Sequence, residues 1–276
     1  MMVEELVSLD DLEASRRLQE AVWGIPTEET VPVHVLVAAR HAGGLVAGAR
    51  HEGRLVGLAF GMASWLEGRP GHHSHMLGVL ASHRQRGVGA ALKWFQRDWC
   101  LRRAIPVVRW TFDPLQAGNA HFNLNKLGAT ASEYLVDVYG PLHGPLNQGI
   151  ATDRLLVEWE LASERAGAAA EGHPARQPPP GPLVTPLENG VPGGVVDRHD
   201  PVVEVAVPES LQRLLAHNPP AAARWRLLAR EALLLYLGRG YRAEAFRRRP
   251  YPAIVLVRCP QPTGAASAPV LPRESV

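Results

Sequence analysis

The chain has 276 residues, 46% of them hydrophobic, and a formal net charge of +2, enough for one sizeable domain and a smaller one. A charge so near zero removes the global argument for a nucleic-acid partner, and no long uncharged apolar run argues for a membrane. Basic residues are nearly all arginine, with only Lys93 and Lys126 otherwise, and Cys100 and Cys259 are the only cysteines; without a secretory signal the expectation is a reduced, cytoplasmic protein.

In chain order, Val3 to Val7 reads as a short strand and Ser8 or Asp10 as the cap of a helix running to Trp23, closed by Gly24-Ile25-Pro26. A second helix is predicted from Val31 to His41, with Pro32 in its first turn. Gly44 to Arg50 and Arg54 to Trp65 form a hairpin around His51-Glu52-Gly53. A strand from His72 to Ala81 leads through a basic turn into a helix from Gly87 to Arg103. Val107 to Phe112 is a β-branched and aromatic strand, and Asn119 to Leu127 a helix closed by Gly128. Ala131 to Tyr139 and Arg154 to Leu161 are two further strands joined by a Pro/Gly loop. The order β-α-α-β-β-β-α-β-α-β-β implies an α/β (α+β) fold with a mixed sheet and helices on its faces.

From residue 163 to 195 the composition turns to Ala, Gly and Pro, which reads as a linker or long loop after a domain at 1–162. A smaller α/β unit is expected at 196–260, with strands at Val202 to Val207, Tyr241 to Arg247 and Ala253 to Arg258, a short helix starting at Pro208 and a longer one from Ala221 to Leu237. Residues 261–276 read as a disordered tail.

The chemistry concentrates in Arg84-Gln85-Arg86-Gly87-Val88-Gly89-Ala90. A strand, a glycine turn and a helix start make an anion site, because the first helical N–H groups lack partners and carry the positive end of the macrodipole. Gly87 and Gly89 let a phosphate approach the main chain, while Arg84 and Arg86 add forked donors. A Rossmann fingerprint needs a third glycine and a Walker loop needs Gly-Lys-Ser/Thr; both are absent. His72, His73 and His75 enter the same turn on the preceding strand, where alternation puts His73 and His75 on one face. Either could take a proton from an ammonium, with Asp113 and His121 as alternatives. No metal is expected, since no carboxylate or thiol completes a ligand set. The loop holding Asn147 and ending in Asp153-Arg154 could bind a polar acceptor, Arg154 pairing a carboxylate; the alternative is a local Asp153–Arg154 ion pair.

Arg84-Gln85-Arg86-Gly87-Val88-Gly89 matches the Gln/Arg-x-x-Gly-x-Gly/Ala signature of the GCN5-related N-acetyltransferases (GNAT), and Asn119-Ala120 with Lys126-Leu127-Gly128-Ala129 resembles that superfamily's second motif. The resemblance covers Val3 to Leu161. It implies the GNAT fold, a mixed and mainly antiparallel twisted sheet with flanking helices. It also implies acyl-coenzyme A as co-substrate, with the pyrophosphate on Arg86 to Ala90 and Asn119 nearby. The pantetheine would lie along the strand that carries Leu77, Val79 and Leu80. An amine then attacks the thioester directly. The tyrosine that many relatives place before the Leu-Gly corner is missing here, where the position falls near Leu124; Asn123, or Tyr139 or Tyr134 further on, are the candidates to serve the leaving thiolate.

Trp110-Thr111-Phe112-Asp113-Pro114-Leu115, Asn119-Ala120-His121-Phe122-Asn123 and Thr152-Asp153-Arg154 resemble a branch of predicted acyltransferases linked to N-acylamino acid racemase pathways. That resemblance implies acetyl or succinyl transfer to the amine of an amino acid, a small-molecule acceptor, with Asp113, Asn147 and Arg154 on the acceptor side. Leu235-Tyr236-Leu237-Gly238-Arg239-Gly240-Tyr241 resembles the second-motif corner again, so the C-terminal unit reads as half a GNAT fold that extends the first sheet or completes a homodimer. The competing function is a non-catalytic acyl-coenzyme A sensor, which binds but releases no thiol.

Overall fold

The computed structural model describes residues 1–66, 68–140, 149–173 and 175–260. Asn147 and the tail at 261–276 lie outside the described residues.

The chain opens with β1 (Met2–Glu5) and α1 (Leu9–Trp23), whose first turn is capped by the Ser8 side chain accepting from the Asp11 N–H. Gly24, in left-handed backbone, ends α1 and passes through a 3-10 turn at Thr27–Glu29 to α2 (Val33–His41). Then follow β2 (Leu45–His51), β3 (Arg54–Leu66), β4 (Arg69–Val79), α3 (Val88–Leu101) and β5 (Val107–Phe112). After β5 the predicted helix is a short α4 (Ala117–Ala120) that widens into a π turn at His121–Lys126. β6 (Thr130–Leu135) stops short of the predicted Tyr139, because Asp137 turns the chain with its carboxylate accepting from the Thr152 N–H at 2.8 Å. β7 (Arg154–Glu160) follows.

The Pro/Gly-rich stretch holds α5 (Glu164–Ala170), capped by Ser163, and a minimal hairpin of β8 (Leu187–Glu188) and β9 (Val191–Pro192). It also runs beside β10 (Val202–Ala206): Leu183 bridges Glu204 in parallel, and the Val184 N–H donates to Glu204 O at 2.9 Å. Composition suggested a loop there because proline and glycine hide the few residues, Val184 and Thr185 among them, that are fully buried. α6 (Leu211–His217) begins three residues after Pro208, with Ser210 as its cap; α7 (Pro219–Gly238), β11 (Tyr241–Arg247) and β12 (Ala253–Arg258) complete the chain.

Ten strands form one sheet in the order β1-β2-β3-β4-β5-β7-β6-β11-β12-β10. All neighbours are antiparallel except β4 and β5, which are parallel and pair only at His72–Val108 and His73–Arg109. Beyond that point the two strands diverge. β5-β7-β6 and β10-β12-β11 mirror each other across the single β6–β11 pair, Ala131 with Ala243. Each of those central strands is bulged beside it, by Ser132 and by Glu244. One continuous core, including Trp99, Trp159, Tyr236 and Tyr241, lies under both halves.

Candidate functional site

Two joined depressions occupy the gap between β4 and β5. The larger, about 440 Å³, is lined from three sides by residues that include Ser74, His75, Lys93, Trp110, Tyr139 and Arg154. The smaller, about 260 Å³, covers the turn and the start of α3, and shares Leu77 and Phe122 with the first.

The turn has the geometry its sequence predicts. Gly87 adopts φ +81°, which favours glycine, and no side chain caps α3. The Ala91 N–H is the first to donate within the helix, to Gly87 O at 2.9 Å, so the amides of Val88, Gly89 and Ala90 precede the helical bonding pattern. A Cβ on Gly89 would project toward Val79 and Leu77 at 3.9 and 4.0 Å, into the groove. Leu77, Val79, Arg84, Gly87, Val88, Gly89 and Ala90 line this depression. Leu80 and Arg86 do not: Leu80 packs inward and its N–H donates to Val56 O at 3.0 Å, while Arg86 is exposed. Arg84 is partly committed, since its Nε donates to Val79 O at 3.1 Å and its Nη2 to Val22 O at 3.3 Å.

The split itself comes from a bulge. Phe60 pairs Met76 and Gly61 pairs Ser74, so His75 is an extra residue in β4. His75 lines the larger depression with its ring edge-on to Phe60, and His73 stands beside it with ring centroids 6.1 Å apart. Burial holds both imidazoles below their ordinary range; the His75 charge and Lys93 lower His73 further. His72 faces the other way, fully buried against Trp99, and Gly61 is needed there because a Cβ would stand 2.1 Å from His72 Nε2. Burial and then the Lys93 charge bring His72 down to about 3.

A hydrogen-bonded chain links α3 to β4 behind the split. Lys93 Nζ donates to Ser74 Oγ at 2.8 Å and to Gln96 Oε1 at 3.0 Å, and Gln96 Nε2 donates to His72 Nε2 at 3.0 Å. That order puts the His72 proton on Nδ1, which has no partner. Lys93 also stands 3.7 Å from the centroid of the Trp110 ring. Burial lowers its ammonium to about 7. Asn123, from the π turn, accepts from Trp110 Nε1 at 3.2 Å and lines the same space with Asn119.

On the opposite face, Tyr139 Oη lies 2.9 Å from Thr111 Oγ1, and the Arg154 guanidinium lies 5.5 Å from the Tyr139 ring centroid. Arg154 has a buried Nε without a hydrogen-bond partner. Its neighbour Asp153 does not pair with it. Burial acts to raise Asp153, but Arg230, which grips it at 2.7 and 2.8 Å, together with the Tyr134 hydroxyl and the Asp137 amide, holds it below the usual carboxylate value. Tyr134 is thereby pushed up, by burial first and then by Asp153. Asp113 lies off the cavity: it is buried and bound bidentately by Arg226 at 2.8 and 2.7 Å. His121 likewise faces away, edge-on to Phe246. Among the described residues no group of three or more His, Cys, Asp or Glu could hold a metal ion, and no helix is long and apolar enough to cross a membrane.

Lys93, Ser74 and Gln96 are not among the site residues expected from the sequence. The signal was present: Val88, Leu92, Gln96 and Trp99 define the buried stripe of α3, so a glutamine on it, with one of only two lysines beside it, is a polar intrusion into a core face.

A divergent strand pair, a bulged β4 and an amide-rich helix start together line one cleft. Residues 9–128 match the model of the Acetyltransferase (GNAT) family, a stretch that holds the first motif and the second as far as Gly128. The chain is similar in structure to aminoglycoside 6'-acetyltransferase type Ii, at 15% identity over 59% of this chain and 99% of that one, with a TM-score of 0.48. It is also similar to ribosomal-protein-alanine N-acetyltransferase from Brucella melitensis (21% identity, 57% and 98% covered, TM-score 0.46). A third similar structure is Arabidopsis thaliana Naa50 in complex with a bisubstrate analogue, CoA-Ac-MVNAL (17% identity, 57% and 96% covered, TM-score 0.45). No curated protein sequence matches the chain.

Proposed function

We propose that the protein is an acyl-coenzyme A-dependent N-acyltransferase that moves an acetyl or succinyl group to the amine of a small acceptor, an amino acid, in a ternary complex. The observation that carries this reading is the continuity of the cleft from the free amides of Val88 to Ala90, past Leu77 and Phe122, to the β4–β5 split. In this reading the pyrophosphate takes the turn, and the pantetheine runs along the free edge of β4. The thioester carbonyl then sits in the split, between a donor face with Lys93 and Asn123 and an acceptor face with His75, Thr111, Tyr139 and Arg154.

The chemistry needs no covalent enzyme intermediate. An acceptor ammonium first loses a proton to His75, directly or through water, with His73 beside it. The free amine forms a bond to the carbonyl carbon, the C–S bond breaks, and the proton that the nitrogen then sheds passes to the departing thiolate. Asn123 on the donor face and Tyr139 on the acceptor face are the polar groups nearest that event, and holding the reactants together supplies much of the rate. Arg154, with no carboxylate partner among the described residues, is assigned to the acceptor's carboxylate.

The test is thiol release from acyl-coenzyme A in a panel crossing acetyl- and succinyl-coenzyme A with D- and L-amino acids. Amine-dependent release supports the reading. Tight binding with no release for any amine replaces it with a non-catalytic sensor. Gly89→Glu, which sets a carboxylate in the groove, and Gly87→Glu are expected to lose coenzyme A binding by at least about a hundredfold; undiminished affinity in both overturns the site.

A further inference from the structure

Lys93 is 2% exposed yet lines the cavity. Its ammonium has two neutral hydrogen-bond acceptors and an aromatic face, and among the described residues no carboxylate lies within ion-pair distance. Three arginines that reach buried carboxylates are treated differently. Arg226 is paired with Asp113, Arg230 with Asp153 and Arg247 with Glu204. A buried charge without a counter-ion is strongly unfavourable, and the usual remedies are a partner or deprotonation. Here the partner is missing, and burial brings the group to about 7, where it is poised between the two states.

Position says what kind of partner fits. Ser74 and Trp110, which touch Lys93, project to the α3 face of the split, whereas His75 and Thr111 belong to the acceptor side. Ser74 also lies next to His73, where the β4–β5 pairing begins. Lys93 therefore stands at the closed end of the split on the donor side. On the acyltransferase reading, that is the space beyond the thioester, on the side away from the acceptor. We propose that Lys93 is the specificity-determining residue for the donor, pairing its ammonium with an anionic end of the acyl group, so that the group transferred is the half-thioester of a short dicarboxylic acid. This rests on the acyltransferase reading above and deepens it. Ser74 supports the same contact: its oxygen accepts from Lys93, leaving its hydroxyl hydrogen to donate to the same carboxylate. Lys93 takes no part in bond making. The C–N bond forms and the C–S bond breaks about the carbonyl, while the far carboxylate stays ion-paired.

The experiment compares kcat/KM for succinyl- and acetyl-coenzyme A, at one saturating amine, in the wild type and in Lys93→Met. The wild type is expected to favour succinyl-coenzyme A, and the ratio to fall by at least about tenfold in the variant, as loss of a charge-assisted hydrogen bond predicts. A second readout uses the unaltered protein. Calorimetry near pH 7.5 in buffers of different ionisation enthalpy should show proton uptake on binding succinyl-coenzyme A that acetyl-coenzyme A does not cause. The titratable groups near enough to interact with the Lys93 charge are His72 and His73 on β4 and Cys100 on α3, and all three do so with either ligand. A wild type that prefers acetyl-coenzyme A overturns the proposal, as does a ratio unchanged by Lys93→Met or an equal loss with both donors, which would make Lys93 a proton donor to the thiolate. Each of these leaves the acyltransferase reading standing; absence of any coenzyme A binding would instead remove that reading and this proposal with it.

Discussion

Two cations face the cleft, Lys93 from the α3 side and Arg154 from the β7 side, and among the described residues neither has a carboxylate within ion-pair distance. The contrast with Asp153 is instructive. Asp153 and Arg154 are adjacent, and their types invite a local ion pair, but alternation along the chain sends them to opposite faces, and Arg230 takes the aspartate. Arg154 is thereby left without that partner, as the proposed acceptor site requires. Replacing it by leucine should raise KM for an amino-acid acceptor by about ten- to a hundredfold, the range of a lost charge-assisted pair, while the coenzyme A Kd stays put. Equal weakening of both ligands would remove Arg154 from the acceptor side. The buried His72 gives a pH prediction. Its value falls from 6.5 in the unfolded chain to about 3 in the folded one, so the unfolded state binds more protons between those limits. Stability attributable to His72 is full above pH 6.5 and is lost as the pH falls toward 3. Lys93 and His73 are the charged neighbours that depress it. Urea midpoints measured between those limits should fall less steeply in His72→Gln than in the wild type; identical slopes would remove His72 as the source.

At the scale of elements, the site depends on one irregular strand and one irregular helix. The bulge at His75 lets β4 leave β5 after two paired residues, which opens the cleft. The π turn at His121–Lys126 fits one extra residue into the helix before Gly128, and this aims Asn123 at Trp110 while Asn125 meets the backbone of Phe246 at 2.7 Å. Gly128 closes that turn at φ +70° with the Arg165 carbonyl 2.8 Å from where a Cβ would be. Gly128→Ala should therefore destabilise by more than the ~1 kcal/mol of backbone strain alone, and a thermal melt within error of the wild type would contradict that.

At the scale of the whole molecule, the C-terminal unit does not stand apart. It continues the sheet across β6 and β11 in mirror order, and the Pro/Gly-rich stretch lies along β10 as β4 lies along β5, in parallel. That stretch covers the outer edge of β10, an edge that would otherwise offer unpaired backbone groups to other chains. α7 fastens the halves through Arg226–Asp113 and Arg230–Asp153, both close to the cleft. Arg226→Met leaves Asp113 charged and buried, at a cost of about 3–5 kcal/mol, whereas Arg226→Met with Asp113→Leu should recover most of it. Additive losses in the double variant would mean that the pair is not what joins the halves.

The glycine turn before α3 was legible from residues alone, because helix amides, glycines and basic side chains act within one local segment whose physics needs no distant partner. The strand and helix order was legible for the same reason, through periodicity and caps. Asp113 looked like a site residue for want of any local signal that Arg226, over a hundred residues away in sequence, would claim it. Lys93 looked like an ordinary helix residue because only packing shows that its neighbours are Ser74, Gln96 and Trp110. Local chemistry fixed where unpaired helix amides and basic side chains gather. Which charges stay unpaired in the cleft was decided by the tertiary structure, since pairing and desolvation depend on contacts between segments that the chain order does not bring together.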